Sequence, residues 1–576
     1  MLSASKMRAI TKTLSLISST VFQVSRSQLR NFAGALTQQQ VTIPNQETLT
    51  GRILLYLNPE KDQQLDIPKY TSETLKTVLQ NQNQMHKLRT NELLIFANNL
   101  TNHNLTRNEL LLVLKELDTE CCVRLSDLSS TDILRLLNIY MSIIPHRMTD
   151  FKFYKYSIKI LFDSLSSLNK KDLLQLMFYI GLKKKNLETQ TMLRQCIRSM
   201  DHKFIENLSC EELCIICNAT FKTSTKIINK NLLEKLRSYI SNNLAVLDDP
   251  ALFVTLLKTL RHNRYQNDDL LNTISYAMFF NKTFTFYSFT MICHIMALFA
   301  DYFFYDEKLF KFLTNKCLEQ LSESRFISKE IHPTEQLRAK DIKRFLWIMS
   351  MFSEMKLINH GDIKNVIMPK IMERIRVGEL VGDVDSLVDI TLYLWILNYH
   401  ANELVPYIFN NNKWHLLTAN PKTNLRLNLL LHAIHSENPD LWKTLRRKPV
   451  ENPNNFSTYQ LHKRPLMQRL LNNLQGIRSK LDLSKFELSQ DIPYLNIVGI
   501  TGYKNELSKA VHVEVLDDYT RIKNIEEDVP VGLMALKLRL LDRSEEGVLV
   551  VSQKEMEEMT DADLNEYLLD EIKLIC

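Results

Sequence analysis

Glycine is scarce in this chain, with 11 among 576 residues, and no two stand one residue apart. That removes the Gly-x-Gly core of the dinucleotide fingerprint and of the kinase glycine-rich loop, and no P-loop is spelled anywhere. Proline is also sparse, at 15. Both residues interrupt helices, so their shortage suits a mainly α fold. No run approaches the roughly 18 uninterrupted apolar residues of a membrane-spanning helix, which argues against membrane insertion. The nine cysteines are odd in number and lack framework spacing, as in a reducing compartment. Cys210, Cys214 and Cys217 share one helix face, and no second Cys or His pair follows at zinc spacing, so no metal site is expected. No cofactor motif is present.

Acids are missing from the start. None precedes Glu47, while Lys6, Arg8, Lys12, Arg26 and Arg30 lie among Ser, Thr and apolar residues at near-helical spacing. A basic, acid-free, amphipathic start reads as a mitochondrial presequence over 1–32 and places the protein in the matrix. Arg30-Asn31-Phe32-Ala33 is similar to a matrix-peptidase site, with the mature chain starting near Ala33. Residues 33–85, Gln- and Asn-rich around 80–84, read as a flexible lead-in.

What is abundant is repetition. Leu-x-x-x-acid-Leu/Ile occurs at Leu88, Leu128, Leu168 and Leu208, each 40 residues after the last. Leu247 opens a weaker copy with Ala251 in the acid's place, and Leu337 opens another with Asp341. A fixed period of this size marks stacked helix pairs, an α-solenoid over 86–330. In each copy a polar residue precedes the acid, and an apolar stripe follows, as a helix start requires. The acids are therefore caps and not a catalytic array. A stacked array offers a long surface, suited to an extended partner.

Cations gather near the turns: Lys183, Lys184 and Lys185, then Lys222 and Lys226, then Arg261 and Arg264 beside Tyr265. Distributed Lys and Arg hold phosphates, and aromatic or Arg faces stack on unpaired bases, so these are the candidate RNA-binding residues. The last 76 residues hold 18 acids against 9 bases, a net of −9, so residues 1–500 carry about +16 of the chain's overall +7. The field that would hold RNA lies on the helical part.

The second half resembles a known family. Residues 337–410, with Asp341-Ile-Lys-Arg-Phe-Leu-Trp347 and Leu387-Val-Asp-Ile-Thr-Leu-Tyr-Leu-Trp395, look like the first helical module of the FAST kinase domain-containing family of mitochondrial proteins. Residues 424–485, with Ser436-Glu-Asn-Pro-Asp-Leu-Trp442, are similar to its second module, which carries a like Glu-x-Pro motif. From 495 to 576 the order strand, helix, strand, helix, with strands at Val511–Val515 and Gly547–Val551, resembles the family's C-terminal RAP domain. That is a small α/β module related to restriction-type endonucleases. The chain departs from the family after the first strand, where Glu514-Val-Leu-Asp-Asp-Tyr519 lacks the usual glycine and histidine. Leu516 also occupies the place of the nuclease lysine.

The resemblance implies an RNA-binding protein that controls processing, stability or translation of mitochondrial transcripts, with RNA-processing or ribosome-assembly proteins as further partners. It implies no kinase chemistry, because His-Arg-Asp and Asp-Phe-Gly are both missing. Two alternatives stay open. One is a metal-dependent RNA endonuclease working through Glu506, Glu514 and Lys537. The other is a protein scaffold for mitochondrial RNA or ribosome factors.

Overall fold

The computed structural model describes residues 49–57, 69–80, 85–100, 103, 105–145, 147–183, 185–243, 248–280, 287–324, 337–381, 383–409, 420–445, 462, 464–505 and 508–575. The expected presequence, the signature leucine Leu247, Lys184 and Glu506 lie outside the described residues. The chain is mainly helical, with a small four-stranded mixed sheet near its C-terminus. It divides into two compact units, 1–235 and 236–576.

In the first unit the signature helices Thr90–Asn99, Ser130–Ile143, Lys170–Leu182 and Cys210–Thr223 each pack on the next. Their starts are set by the repeated polar-plus-acid pair. The Ser129 hydroxyl accepts from the Asp132 N–H at 3.1 Å, and Asn169 does the same for Asp172 at 3.0 Å. Glu212 returns the favour to the Ser209 N–H at 2.8 Å. A cap contributes about 1 kcal/mol, whereas each buried Leu, Met or Phe contributes roughly 1.5–3. Leu173, Leu174, Leu176, Met177 and Phe178 are all buried, so packing supplies most of the stability and the cap decides where the helix begins. Gly181 permits the closest approach: a Cβ there would stand 2.8 Å from the Ala219 Cα. Lys170 ties the same two helices together, with its ammonium 2.7 Å from Glu212 and 2.8 Å from the Asn207 carbonyl.

The lead-in differs from expectation. Helices Leu49–Leu57 and Lys69–Gln80 form within it, with Ile53, Leu54 and Leu57 buried and the Leu57 carbonyl accepting from Gln175. The first of these, Leu-Thr-Gly-Arg-Ile-Leu-Leu-Tyr-Leu, is mainly apolar and stands well ahead of the Gln- and Asn-rich residues 80–84.

In the second unit, helices Pro250–Asn263, Phe289–Asp301, Ala339–Met351, Val384–Ile396 and Pro421–Glu437 pack in succession. The first is capped by Asp249, whose carboxylate accepts from the Ala251 and Leu252 N–H groups at 3.1 and 3.2 Å. The acid sits two residues earlier than in the other copies. Asp341, unlike Asp249, is no cap. It is fully buried and paired with Arg338 at 2.6 Å and Arg344 at 3.1 Å.

The sheet runs β1 (Lys485–Ser489), β2 (Gly499–Tyr503), β3 (Lys509–Leu516), β4 (Gly547–Ser552), in that spatial order. The first two pairings are antiparallel and β3 pairs with β4 in parallel. The helix Gly532–Leu541 makes the crossover that a parallel pair requires. The two strands expected from sequence are β3 and β4. The sheet also takes in β1 and β2, so it begins ahead of residue 495. Val511, Val513 and Val515 face an apolar cluster with Met467, Leu470, Leu474, Leu564, Leu568 and Ile572.

This α/β module is fixed to the helices of its own unit. The crossover helix packs against Ala339–Met351, Val384–Ile396 and Pro421–Glu437. A Cβ at Gly532 would overlap the Ser350 carbonyl, so only glycine fits there. The Arg539 guanidinium donates to Glu437 at 2.6 Å and to the carbonyls of Trp395 and Ile396 at 2.7 and 3.2 Å. The Trp395 indole N–H donates to the same carboxylate at 2.6 Å. Asn524 adds a reciprocal pair with the Tyr305 backbone, both bonds at 2.7 Å.

Candidate nucleic-acid interface

The helix Leu187–Arg198 starts at Asn186, whose side chain accepts from the Thr189 N–H at 2.9 Å. It buries Thr189, Met192, Leu193, Cys196 and Ile197. The spacing that buries those residues leaves Arg194 and Arg198 one turn apart on the other side. Opposite them runs the segment after the helix Cys210–Thr223, which ends at Ser224 in the left-handed conformation, φ 56°. Gln190 pins this turn by donating to the Thr223 and Ser224 carbonyls at 3.0 and 3.3 Å. Between helix and segment lies an open pocket of about 250 Å³, lined by Arg194, Ile197, Arg198, Lys226, Ile228 and Asn229. Three cations line it and no acid does. Ile228, one of the lining residues, is 65% exposed.

Of the sequence-derived lysines, Lys226 lines this pocket. Arg194 and Arg198 complete it, and sequence reasoning passed them over. Their signal was an Arg-x-x-x-Arg pair on the polar face of an amphipathic helix. Lys222 and Lys185 are exposed, and Lys183 pairs with Glu188 at 2.8 Å.

In the second unit Arg261 is engaged by its own fold. It pairs with Asp301 and stands 5.2 Å over the Trp347 ring. Arg264 is exposed and closes the helix Pro250–Asn263 in the left-handed conformation, φ 54°. Tyr265 is half-buried, its N–H donating to the Leu260 carbonyl at 3.1 Å and its own carbonyl accepting from the Tyr302 hydroxyl at 2.6 Å. Of these three, Arg264 presents its side chain most openly.

The nuclease candidates are placed differently. Glu514 on β3 and Lys537 on the crossover helix form an ion pair with both side chains fully buried. A Cβ at Gly499 would overlap the Glu514 carboxylate and approach Lys537 to 2.9 Å, so the glycine makes room for the pair. Metal-assisted hydrolysis needs carboxylates open to an ion, a water and the substrate. This pair is sealed from all three and spans the interior as a structural link. Cys210, Cys214 and Cys217 are buried in their helix. Among the described residues no group of three or more His, Cys, Asp or Glu is placed to hold a metal ion, and no helix is long and apolar enough to cross a membrane.

Neither a protein-family model nor a curated protein matches this chain.

Proposed function

We propose that this chain is an RNA-binding protein of the mitochondrial matrix that acts on mitochondrial transcripts. The observation that carries the reading is the acid-free pocket of Arg194, Arg198 and Lys226, where guanidinium forks and an ammonium converge beside an apolar rim. Such a set matches a phosphodiester with its sugar or base. The packing of successive signature helices supports a helical-repeat solenoid, a form that follows an extended strand. The resemblance of the second half to the FAST kinase domain-containing family, and the acid-free basic start, support the compartment and the ligand. On this reading the α/β module is a RAP-like docking element with its nuclease chemistry lost.

Crosslinking and sequencing of RNA bound to the tagged protein in isolated mitochondria tests the proposal. Sharp peaks on mitochondrial transcripts, lost in the Arg194→Ala, Arg198→Ala double variant, are expected. No enrichment over a matrix control protein would overturn it and favour the scaffold reading.

A further inference from the structure

Four exposed aromatic side chains of the second unit lie on two helices that pack together, Asp268–Phe280 and Glu307–Glu323. The first helix begins at Asn267, whose side chain accepts from the Leu270 N–H at 2.8 Å. The second begins at Asp306, whose carboxylate accepts from the Leu309 N–H at 2.8 Å. The other oxygen of Asp306 accepts from the Ser275 hydroxyl at 2.5 Å and so fixes the two helices against each other. Leu270, Leu271, Ile274, Ala277 and Met278 are buried on the first, and Leu309, Phe310, Leu313 and Cys317 on the second. Helical spacing then leaves Tyr276, Phe279 and Phe280 on the solvent side of one, and Lys308, Lys311 and Phe312 on the solvent side of the other.

These side chains meet. Ring centroids of Tyr276 and Phe280 are 4.4 Å apart and those of Phe279 and Phe280 5.4 Å, and the Lys308 ammonium reaches across from the neighbouring helix to lie 5.9 Å over the Phe279 ring. The planes are inclined at 43° in the first pair and 83° in the second, so neither pair stacks face to face. Tyr276 is 66% exposed, Phe279 50%, Phe280 65% and Phe312 45%. Apolar residues exposed singly are ordinary on a protein surface, whereas a contiguous group of them marks a contact surface. Two features select the occupant. Every large apolar side chain exposed on these two helices is an aromatic ring, and a ring face matches the flat face of any nucleobase. The group also includes lysine. Lysine is depleted from protein–protein contacts, but an ammonium beside a stacking ring is placed for the phosphate next to a stacked base. Lys311, one turn beyond Lys308, pairs with Glu307 at the surface, where such a pair is weak.

We infer that Tyr276, Phe279, Phe280 and Phe312, with Lys308 beside them, form a stacking platform for the unpaired bases of a single-stranded RNA. The platform rests on the RNA reading for its ligand. It adds a base contact that tolerates any sequence, separate from the phosphate contacts of Arg194, Arg198 and Lys226.

Fluorescence anisotropy of the full chain tests it with three probes: a short single-stranded RNA, the same strand in a duplex, and an abasic strand of equal length. Wild type should prefer the base-bearing single strand to the other two. The Tyr276→Ala, Phe280→Ala double variant should bind that strand roughly ten- to a hundredfold more weakly, the worth of a lost base stack. Its affinity for the abasic strand and its salt slope should not change, because no charge is removed. Both side chains are exposed, so its melting temperature should match wild type. Phe280→Trp should bind like wild type, and its added indole fluorescence should be quenched by the RNA. Equal affinity of wild type and the double variant for the single strand, or no preference of wild type for bases over the abasic strand, overturns the platform and leaves the RNA reading standing. In that case a protein that co-purifies with wild type and not with the double variant makes this face a protein contact. No binding of any RNA by wild type overturns both.

Discussion

Arg539 and Glu437 are 102 residues apart in sequence and form the bond that fastens the α/β module to its helices. The carboxylate is shut away from solvent, and Trp395 donates to it as well. Glu437→Gln leaves the guanidinium facing a neutral amide inside the interface. Breaking one partner of a buried pair costs about 3–5 kcal/mol, so the denaturant midpoint should fall accordingly. Limited proteolysis should then release the C-terminal module, and a variant that melts like wild type would contradict this role.

The same carboxylate sets an acid limit. Burial alone would raise its pKa; the close approach of His400, the hydrogen bonds from Arg539 and Trp395 and the Arg539 charge outweigh that and hold it down at about 2, below its ordinary 4.5. Asp491, held by His512, Ser489 and Lys509 against its own burial, is depressed in the same direction. A group depressed in the folded state adds stability that is fully present above its unfolded pKa. That contribution should be intact at pH 6, begin to fade near 4.5 and be gone near 2. Urea titrations at stepped pH measure it; stability that stays flat from pH 6 to 3 would remove the basis of the claim.

The Glu514–Lys537 pair should behave as an internal strut. Lys537→Met alone strands a buried carboxylate, and Glu514→Leu alone strands an ammonium, each expected to cost about 3–5 kcal/mol. The double replacement should recover most of the loss, because an apolar pair of similar volume fits the same space. A double-mutant cycle on melting free energies reads this coupling. RNA cleavage that needs a divalent metal and vanishes in Glu514→Gln at unchanged stability would instead revive the endonuclease.

Salt dependence tests the first-unit pocket. Single-stranded RNA releases about 0.7 of a counterion for each phosphate neutralised. Losing Arg194 and Arg198 together should therefore lower the log–log slope of affinity against salt by about 1.4. Fluorescence anisotropy between 50 and 300 mM salt is sufficient, and an unchanged slope places the RNA elsewhere.

Much of the helical part was legible because its signals are local. A cap such as Ser129 with Asp132 acts over three residues, and the buried stripe after it lies within one helix. Longer-range roles were not legible. Glu437 stood out in a Glu-x-Pro motif, but its partner is 102 residues downstream, and no periodicity reports that. The strands Lys485–Ser489 and Gly499–Tyr503 are five residues each, and two glycines in the second blur its pattern. Glu514 and Lys537 were found as chemistry-bearing residues, but whether such residues face a cleft or each other depends on packing. The helix Leu49–Leu57 was passed over because it is only nine residues long and its apolar stripe is brief.

The Asn524–Tyr305 bonds close a loop of 219 residues and Arg539–Glu437 one of 102, which sets an order on synthesis. A nascent chain makes its signature helices as it emerges, because their contacts span about one hairpin. The Trp395 and Ile396 carbonyls and the Glu437 carboxylate, however, must wait for Arg539 on the crossover helix, 144, 143 and 102 residues later. During that interval the second unit has an open flank, with the Ser350 surface uncovered where Gly532 will sit. A ribosome stalled before residue 532 would therefore carry a folded first unit and a second unit dependent on chaperones.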